Sequence, residues 1–339
     1  MVSTTFTVLV PVLFVLLLGY FAWRSKKFDA DQVAGINELA LDFALPASLF
    51  VGIVNIPRTQ VAQDASFVVA VLLDLFGLYL VAFVIGTKLL RLPSSAAALF
   101  ALGAAFPGTP FFGPAILGGL FGASSATAIA STAIIGNLVL VPATVVVLEA
   151  ASRSRRSSLK AVAFAANAGA SSGGNSGLRE SHSPRAEIEL VIRNSLLHAA
   201  KQPYVWAPVV ALAFLLIGIP VPLLVTSMLR LIGQTTSGVS LFVGGLLLAA
   251  YSLKLNGTVA VNTVLKSLIQ PALLFALAGI LRMPNALVRE GVVAVALPSA
   301  VIVPMLAARY KTYEAEAGST LLLTTVLMMV VVPLSMFVT

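Results

Sequence analysis

The sequence predicts an all-α membrane protein whose ten transmembrane helices form two inverted repeats of five. Three observations lead there. Hydrophobic residues make up 59% of the chain and charged residues 10%, against roughly a quarter charged in a soluble domain. The charges also leave apolar stretches of the ~20 residues needed to cross a hydrocarbon layer. Finally, the second half of the chain echoes the first at a nearly fixed offset.

The first stretch, MVSTTFTVLVPVLFVLLLGYFAW, carries its cations Arg24, Lys26 and Lys27 after the apolar run. A secretory signal has the opposite order, so this segment reads as a retained helix with its N-terminus outside the cytoplasm. Successive spans are expected at 4–23, 32–56, 66–90, 95–121, 124–150, 203–219, 222–251, 258–281, 286–308 and 314–338. With both termini outside, sixteen of the 21 Lys and Arg face the cytoplasm and only Arg58, Arg282 and Arg289 face out. That asymmetry sets orientation by the positive-inside rule, and Trp23 and Trp206 stand at helix ends where aromatic belts form. The net charge of +8 is thereby explained without a nucleic acid partner. Residues 151–202 form the one long polar stretch, with the low-complexity run ANAGASSGGNSG at 166–177. It reads as a cytoplasmic linker between a first unit, 1–150, and a second, 203–339.

The repeat is read from ordered matches. Ser48-Leu49-Phe50-Val51-Gly52 returns as Ser240-Leu241-Phe242-Val243-Gly244, and Arg91-Leu92-Pro93 as Arg282-Met283-Pro284. Pro107 returns as Pro298, Pro114 as Pro304 and Val141-Pro142 as Val332-Pro333, all at offsets of 190 to 192. Five spans per unit is an odd number, so the second unit enters the membrane inverted. Inverted repeats are the architecture of carriers that alternate access around a midplane site.

The fourth span, ALGAAFPGTPFFGPAILGGLFG, interleaves Pro107, Pro110 and Pro114 with Gly108 and Gly113; the ninth carries Pro298 and Pro304. Proline removes a backbone donor and clashes with the preceding turn, so both helices should be interrupted near mid-membrane. Lipid cannot satisfy the freed groups, and such backbone persists only where it is buried in protein or lines a cavity. A half-helix starting after a break offers free N–H groups and a partial positive charge, which suits a carboxylate. The expected substrate site is therefore Phe106, Pro107, Gly108, Thr109, Pro110 and Phe111 at one break and Pro298, Ser299, Ala300, Val301 and Ile302 at the other, within reach of Gln234, Thr235, Thr236 and Ser237, with Asn137 against the fourth helix.

Ionisable residues inside spans cost several kcal/mol when unpaired, so each is weighed separately. Asp42 and Asp74 are ion-coupling candidates, and Lys266 falls within one residue of the repeat equivalent of Asp74, so the two could pair. Glu38 and Arg230 could face related surfaces or snorkel to the interface. Cysteine is absent and both histidines, His182 and His198, lie in the polar stretch, leaving no intramembrane metal site and no constellation for a membrane hydrolase. No cofactor is expected, and coupling to H+ or to Na+ stays open.

The segments LALDFALPASLFVGI (39–53), AAFPGTPFFGPAILGGLFG (104–122), LKSLIQPALLFALAGILRMP (265–284) and ALPSAVIVPMLAARY (296–310) resemble the auxin efflux carrier family, which includes plant PIN-type auxin carriers and bacterial malonate carriers. The resemblance covers both halves and omits 151–202. It implies a fold similar to bile acid sodium symporters, with helices 4 and 9 broken and crossing. It also implies a scaffold of helices 1, 2, 6 and 7 beside a mobile core of helices 3–5 and 8–10, elevator-like movement and homodimerisation through the scaffold. Many members carry Asn at the first crossover, in a pattern like S-F-G-N-T-G. Here Gly108 stands in its place, and Ala300 to Val303 offer no Asn at the second. The bacterial malonate-carrier branch is the nearer resemblance. The reading is a secondary carrier of a small organic anion in the inner membrane, with an auxin-like aromatic acid or a non-transporting channel or sensor as alternatives.

Overall fold

A computed structural model describes residues 2–55, 65–152, 201–250 and 253–338. The polar segment expected as a linker lies almost wholly outside these residues. Those described are helical apart from short connections and one isolated bridge. Six helices are long and apolar enough to cross a membrane: α2 (Ala30–Val54), α3 (Ser66–Leu89), α5 (Thr127–Ser152), α7 (Leu223–Ala250), α8 (Gly257–Ile280) and α10 (Glu314–Val338). α1 (Val2–Arg24) and α6 (Pro203–Ile217) complete the continuous helices. Two further helices are interrupted, one as α4a (Ser94–Ala105) and α4b (Thr109–Phe121), the other as α9a (Asn285–Ala296) and α9b (Ile302–Tyr310). The chain is a multi-pass membrane protein.

Local chemistry sets the helix ends. Asp29 caps α2 by accepting from the Gln32 amide at 2.8 Å, and the Gln32 side chain accepts from the Asp29 amide at 3.0 Å. This is a reciprocal capping box. Asn256 caps α8, accepting from the Val259 amide at 2.9 Å. Arg91 and Arg282 both turn left-handed, at φ 51°, and in each case a proline two residues later precedes the next helix. The sequence match at these positions is therefore also a match of backbone conformation.

Packing falls into two groups. α1 runs along α7, while α6 and the start of α7 lie along α2; elsewhere α3 packs on α4a and α8, and α8 on α9a and α10. Small residues permit the closest approaches, as membrane helix pairs require. A Cβ added at Gly245 would sit 2.0 Å from the Leu16 carbonyl oxygen, and one at Gly19 would sit 2.1 Å from that of Phe242. Among the described residues, four π-turns bulge out of otherwise regular helices: Ala40–Ala44, Ile85–Leu89, Gly136–Leu140 and Leu265–Ile269. Such bulges re-aim side chains and concentrate at functional sites. Asp42, Asn137 and Lys266 each stand in one.

The α1–α7 contact meets backbone on both sides and has no room to relax. Gly245→Ala is therefore expected to destabilise the protein by about 1–3 kcal/mol, read as a lowered Tm of the detergent-purified protein. Gly238→Ala, where nothing lies within 4 Å, should leave the Tm unchanged.

Candidate functional site

The two interruptions meet. Residues Phe106 and Leu297 are extended, and Pro107 and Ser299 form an antiparallel bridge. The Gly108 amide donates to the Pro298 carbonyl at 2.7 Å, and the Ala300 amide donates to the Phe106 carbonyl at 3.0 Å. Neither proline has an N–H to offer, so the Gly108 and Ala300 amides and the Pro298 and Phe106 carbonyls carry the bridge. Each break thus supplies the polar partners the other lost, in a region where water cannot. The amides of Thr109, Val301 and Ile302, at the starts of α4b and α9b, are not used by the bridge.

Aromatic rings fill the space at the first break. A Cβ on Gly136 would lie 2.0 Å from the Phe106 ring, and one on Gly108 would lie 2.4 Å from the Phe112 ring. Phe106 therefore seats on α5 where only glycine leaves room, and Phe112 occupies the place a larger side chain at Gly108 would take. Nearby, the Thr109 hydroxyl donates to the Ala294 carbonyl at 3.3 Å, tying the start of α4b to the end of α9a. The Ser299 amide donates to the Thr324 hydroxyl at 3.2 Å, tying the second break to α10.

A buried polar relay lies against the ends of α4a and α9a. The Lys266 ammonium donates to the Val295 carbonyl at 2.7 Å and to the Gln270 Oε1 at 2.6 Å. The Gln270 Nε2 donates to the Ala105 carbonyl at 2.6 Å and to the Asp74 carboxylate at 3.1 Å. A helix C-terminus carries unpaired carbonyls and a partial negative charge. Here a cation meets one such end and an amide meets the other. Asp74, Lys266 and Gln270 are all buried, and Asp74 Oδ1 has no partner. The repeat offset suggested a direct Asp74–Lys266 pair; the structure instead places Gln270 between them. Lys266 and Gln270 are i and i+4 before Pro271, a spacing that puts both on one face and could have exposed Gln270 in the sequence.

The remaining expected residues separate into those brought to the breaks and those left aside. Ser237 reaches α4b, its hydroxyl donating to the Phe111 carbonyl at 3.0 Å. Thr236 is buried with a free hydroxyl. Gln234 and Thr235 are exposed, and the Thr235 hydroxyl returns to its own helix at Ile232. Asn137 is buried, but its amide nitrogen donates to Ala133 one turn earlier at 2.8 Å. Asp42 lies away from the breaks and pairs with Arg309 at 2.7 Å. That guanidinium also lies over the Tyr204 ring, 5.7 Å from its centroid, and the Asn37 amide donates to the Met305 carbonyl at 3.1 Å. α9b is thus tied to α2 and α6. Glu38 and Arg230 are exposed.

Removing one member of the relay strands the others in a dry interior. Lys266→Met alone should cost about 3–5 kcal/mol, the range for breaking a buried charge pair. Adding Asp74→Asn should recover part of the loss, a coupling that a double-mutant cycle on unfolding in detergent measures. Strict additivity of the two substitutions would show that the two groups do not interact.

The chain matches the family model described as a membrane transport protein over residues 4–336. It is 30% identical over 332 residues, 97% of this chain and 96% of the relative, to a protein named as the uncharacterized transporter YfdV of Escherichia coli K12. The same values hold for its counterparts in Escherichia coli O157:H7 and Shigella flexneri. With the broken helices, the residues that mark the resemblance and a match of this extent, the chain belongs to the auxin efflux carrier family of membrane transporters.

Proposed function

We propose that the protein is a secondary active carrier of a small organic anion, a carboxylate such as malonate, working by alternating access around the paired breaks. The single observation that carries this reading is the two-bond bridge joining the breaks. It leaves half-helix N-termini whose amides and dipoles favour an anion. The relay of Lys266 and Gln270 covers the opposite, negative ends, so positive potential near the breaks is left uncancelled. Ser237 and Thr236 supply hydroxyls close by. Coupling to H+ or Na+ belongs to the same reading. Asp74 and Lys266 are placed to sense it at the breaks, whereas Asp42 is engaged with Arg309.

Two inverted five-helix repeats, 1–150 and 203–339, follow from the odd number of crossings per unit, and the two φ 51° arginines support the correspondence. α1, α2, α6 and α7 then form the scaffold and α3–α5 and α8–α10 the moving core. The packing of α1 on α7 and of α2 on α6 favours that division, and homodimerisation through the scaffold belongs to the same proposal. The membrane is the cytoplasmic one, with residues 151–202 inside and both termini outside. The native chain has no cysteine, so labelling of Ser172→Cys by an impermeant reagent from outside intact cells would reverse that orientation.

A thermal-shift series with malonate, other small carboxylates and auxin-like aromatic acids tests the anion reading. A ligand at a hundred times its Kd raises stability by about 2.7 kcal/mol. Malonate-sized acids are expected to raise the Tm. Gly108→Leu, which must displace Phe112, should abolish the shift while the protein still elutes as a folded species. Arg230→Gln should weaken it only slightly. The opposite ranking would place the anion on a side-chain cation, away from the broken backbone.

A further inference from the structure

A groove of about 220 Å3 lies between α8 and α10, away from the breaks. Pro271, Val292 and Val331 form its buried floor, and Leu268, Phe275 and Leu334 form its rim. The rim residues are 54%, 45% and 53% exposed, so the groove opens sideways, toward lipid. Both walls are irregular at this place. α8 carries the π-turn Leu265–Ile269 followed by Pro271, and α10 carries Pro333. Such features bend a helix out of line with its neighbour. From Val331 to Val338 the groove follows α10 for about 10 Å, at 1.5 Å per residue. That is two-thirds of the ~15 Å that one leaflet of a ~30 Å hydrocarbon core spans.

A cation stands at the end of this groove. Arg289, in α9a, donates from Nη2 to the Met336 carbonyl at 3.0 Å. Met336 is in the last turn of α10, between the groove residues Ser335 and Val338, and Val292 follows Arg289 by three positions, on the same helix face. Carbonyls of a last turn have no partner within their own helix, so this contact caps α10. It uses one of the five N–H groups of a guanidinium. Nε is buried with no hydrogen-bond partner, which costs free energy in a membrane. No carboxylate of the three elements answers it. α8 has none, and Glu314 and Glu316 stand at the opposite end of α10. Glu290 is buried in α9a and accepts from the Ser124 hydroxyl at 2.5 Å.

We propose that a phospholipid with a net negative headgroup binds here, one acyl chain in the groove and its phosphate on Arg289. Guanidinium and phosphate match in charge and in hydrogen-bond geometry, and basic pockets between membrane helices take anionic headgroups. The ammonium of a zwitterionic headgroup finds no carboxylate at this end to meet it. The length and the apolar lining suit an acyl chain, whereas a small soluble anion would leave the groove unfilled. A second copy of the chain does not cover this face if dimerisation runs through α1, α2, α6 and α7. The bound lipid would join α8, α9a and α10 beyond what the Arg289–Met336 contact achieves. The site is independent of the carrier reading and of the anion proposed at the breaks.

Native mass spectrometry of the delipidated protein, titrated with phosphatidylglycerol or with phosphatidylcholine of identical acyl chains, tests the site. The wild type should retain one phosphatidylglycerol per chain in preference to phosphatidylcholine. Arg289→Gln should weaken phosphatidylglycerol binding about tenfold, the worth of one hydrogen bond to a charged group, and abolish the preference. Ala272 is an exposed residue of the groove wall, so Ala272→Leu fits the fold; it should occupy the groove and weaken phosphatidylglycerol several-fold. Arg91→Gln, an exposed cation outside the groove, should bind like the wild type. The Tm of each variant in lipid-free detergent checks folding. If Arg289→Gln does not fold, Arg289→Lys, which keeps the charge and loses the planar fork, should show a reduced preference. Equal retention of both lipids by the wild type, or a wild-type preference in the Arg289 variant, would mean annular lipid only and overturn the proposal. Unchanged affinity in Ala272→Leu would also overturn it. A lipid-free dimer that Ala272→Leu abolishes would assign the groove to a second copy, again overturning it.

Discussion

A peptide group that leaves a helix inside a membrane must find another partner, and that requirement organises this protein. Two helices break at the same depth, and each repairs the other through the Gly108–Pro298 and Ala300–Phe106 hydrogen bonds. Neither break would survive alone, because each unpaired group would cost several kcal/mol in hydrocarbon. The surrounding polar side chains follow from the same need. Lys266, Gln270 and Thr109 meet the carbonyls at the ends of α9a and α4a, and Thr324 meets the Ser299 amide. Glycines at 108 and 136 are there because aromatic rings occupy the space a Cβ would need.

The consequence for function is an asymmetry of charge. Lys266, Gln270 and Thr109 meet carbonyls at the ends of α9a and α4a, whereas the amides of Thr109, Val301 and Ile302 at the starts of α4b and α9b are not used by the bridge. The proposed anion reading draws on that difference. The links between α9b and the α2 and α6 helices are of a different kind. The Asp42–Arg309 pair is only partly exposed, with side chains 23% and 26% accessible, whereas the relay at the breaks is fully buried. The bridge between the breaks is buried and coupled to the relay, so it is suited to travel as one body.

Much of this was legible in the sequence because it depends on local chemistry. The proline and glycine clusters announce the breaks, and Arg91-Leu92-Pro93 with its counterpart Arg282-Met283-Pro284 announces two turns of one shape. Lys266 and Asp74 stand out as charges in apolar runs. What stayed hidden depends on side chains that meet across long separations. Gln270, not among the residues singled out from the sequence, joins Asp74 to Lys266. Asp42 looked like Asp74 in the sequence, yet Arg309, which no local pattern connects to it, claims it. Ser124 and Glu290 are 166 positions apart, and only the fold brings them together. Gln234 and Thr235 are exposed, although Ser237 in the same polar strip reaches the Phe111 carbonyl.

The central claim is that the paired breaks form one body that shifts against the α1, α2, α6 and α7 helices. It is tested most directly by distances between spin labels, for which the cysteine-free chain is well suited. Labels at Ser94 and Asn285, at the starts of α4a and α9a, report on the paired breaks themselves. Labels at Asn285 and Leu223 span the boundary to α7. Varying pH and malonate should redistribute the Asn285–Leu223 distance while the Ser94–Asn285 distance stays single and fixed. A Ser94–Asn285 distance that splits while Asn285–Leu223 holds still would show that the breaks separate from each other, and would contradict the account.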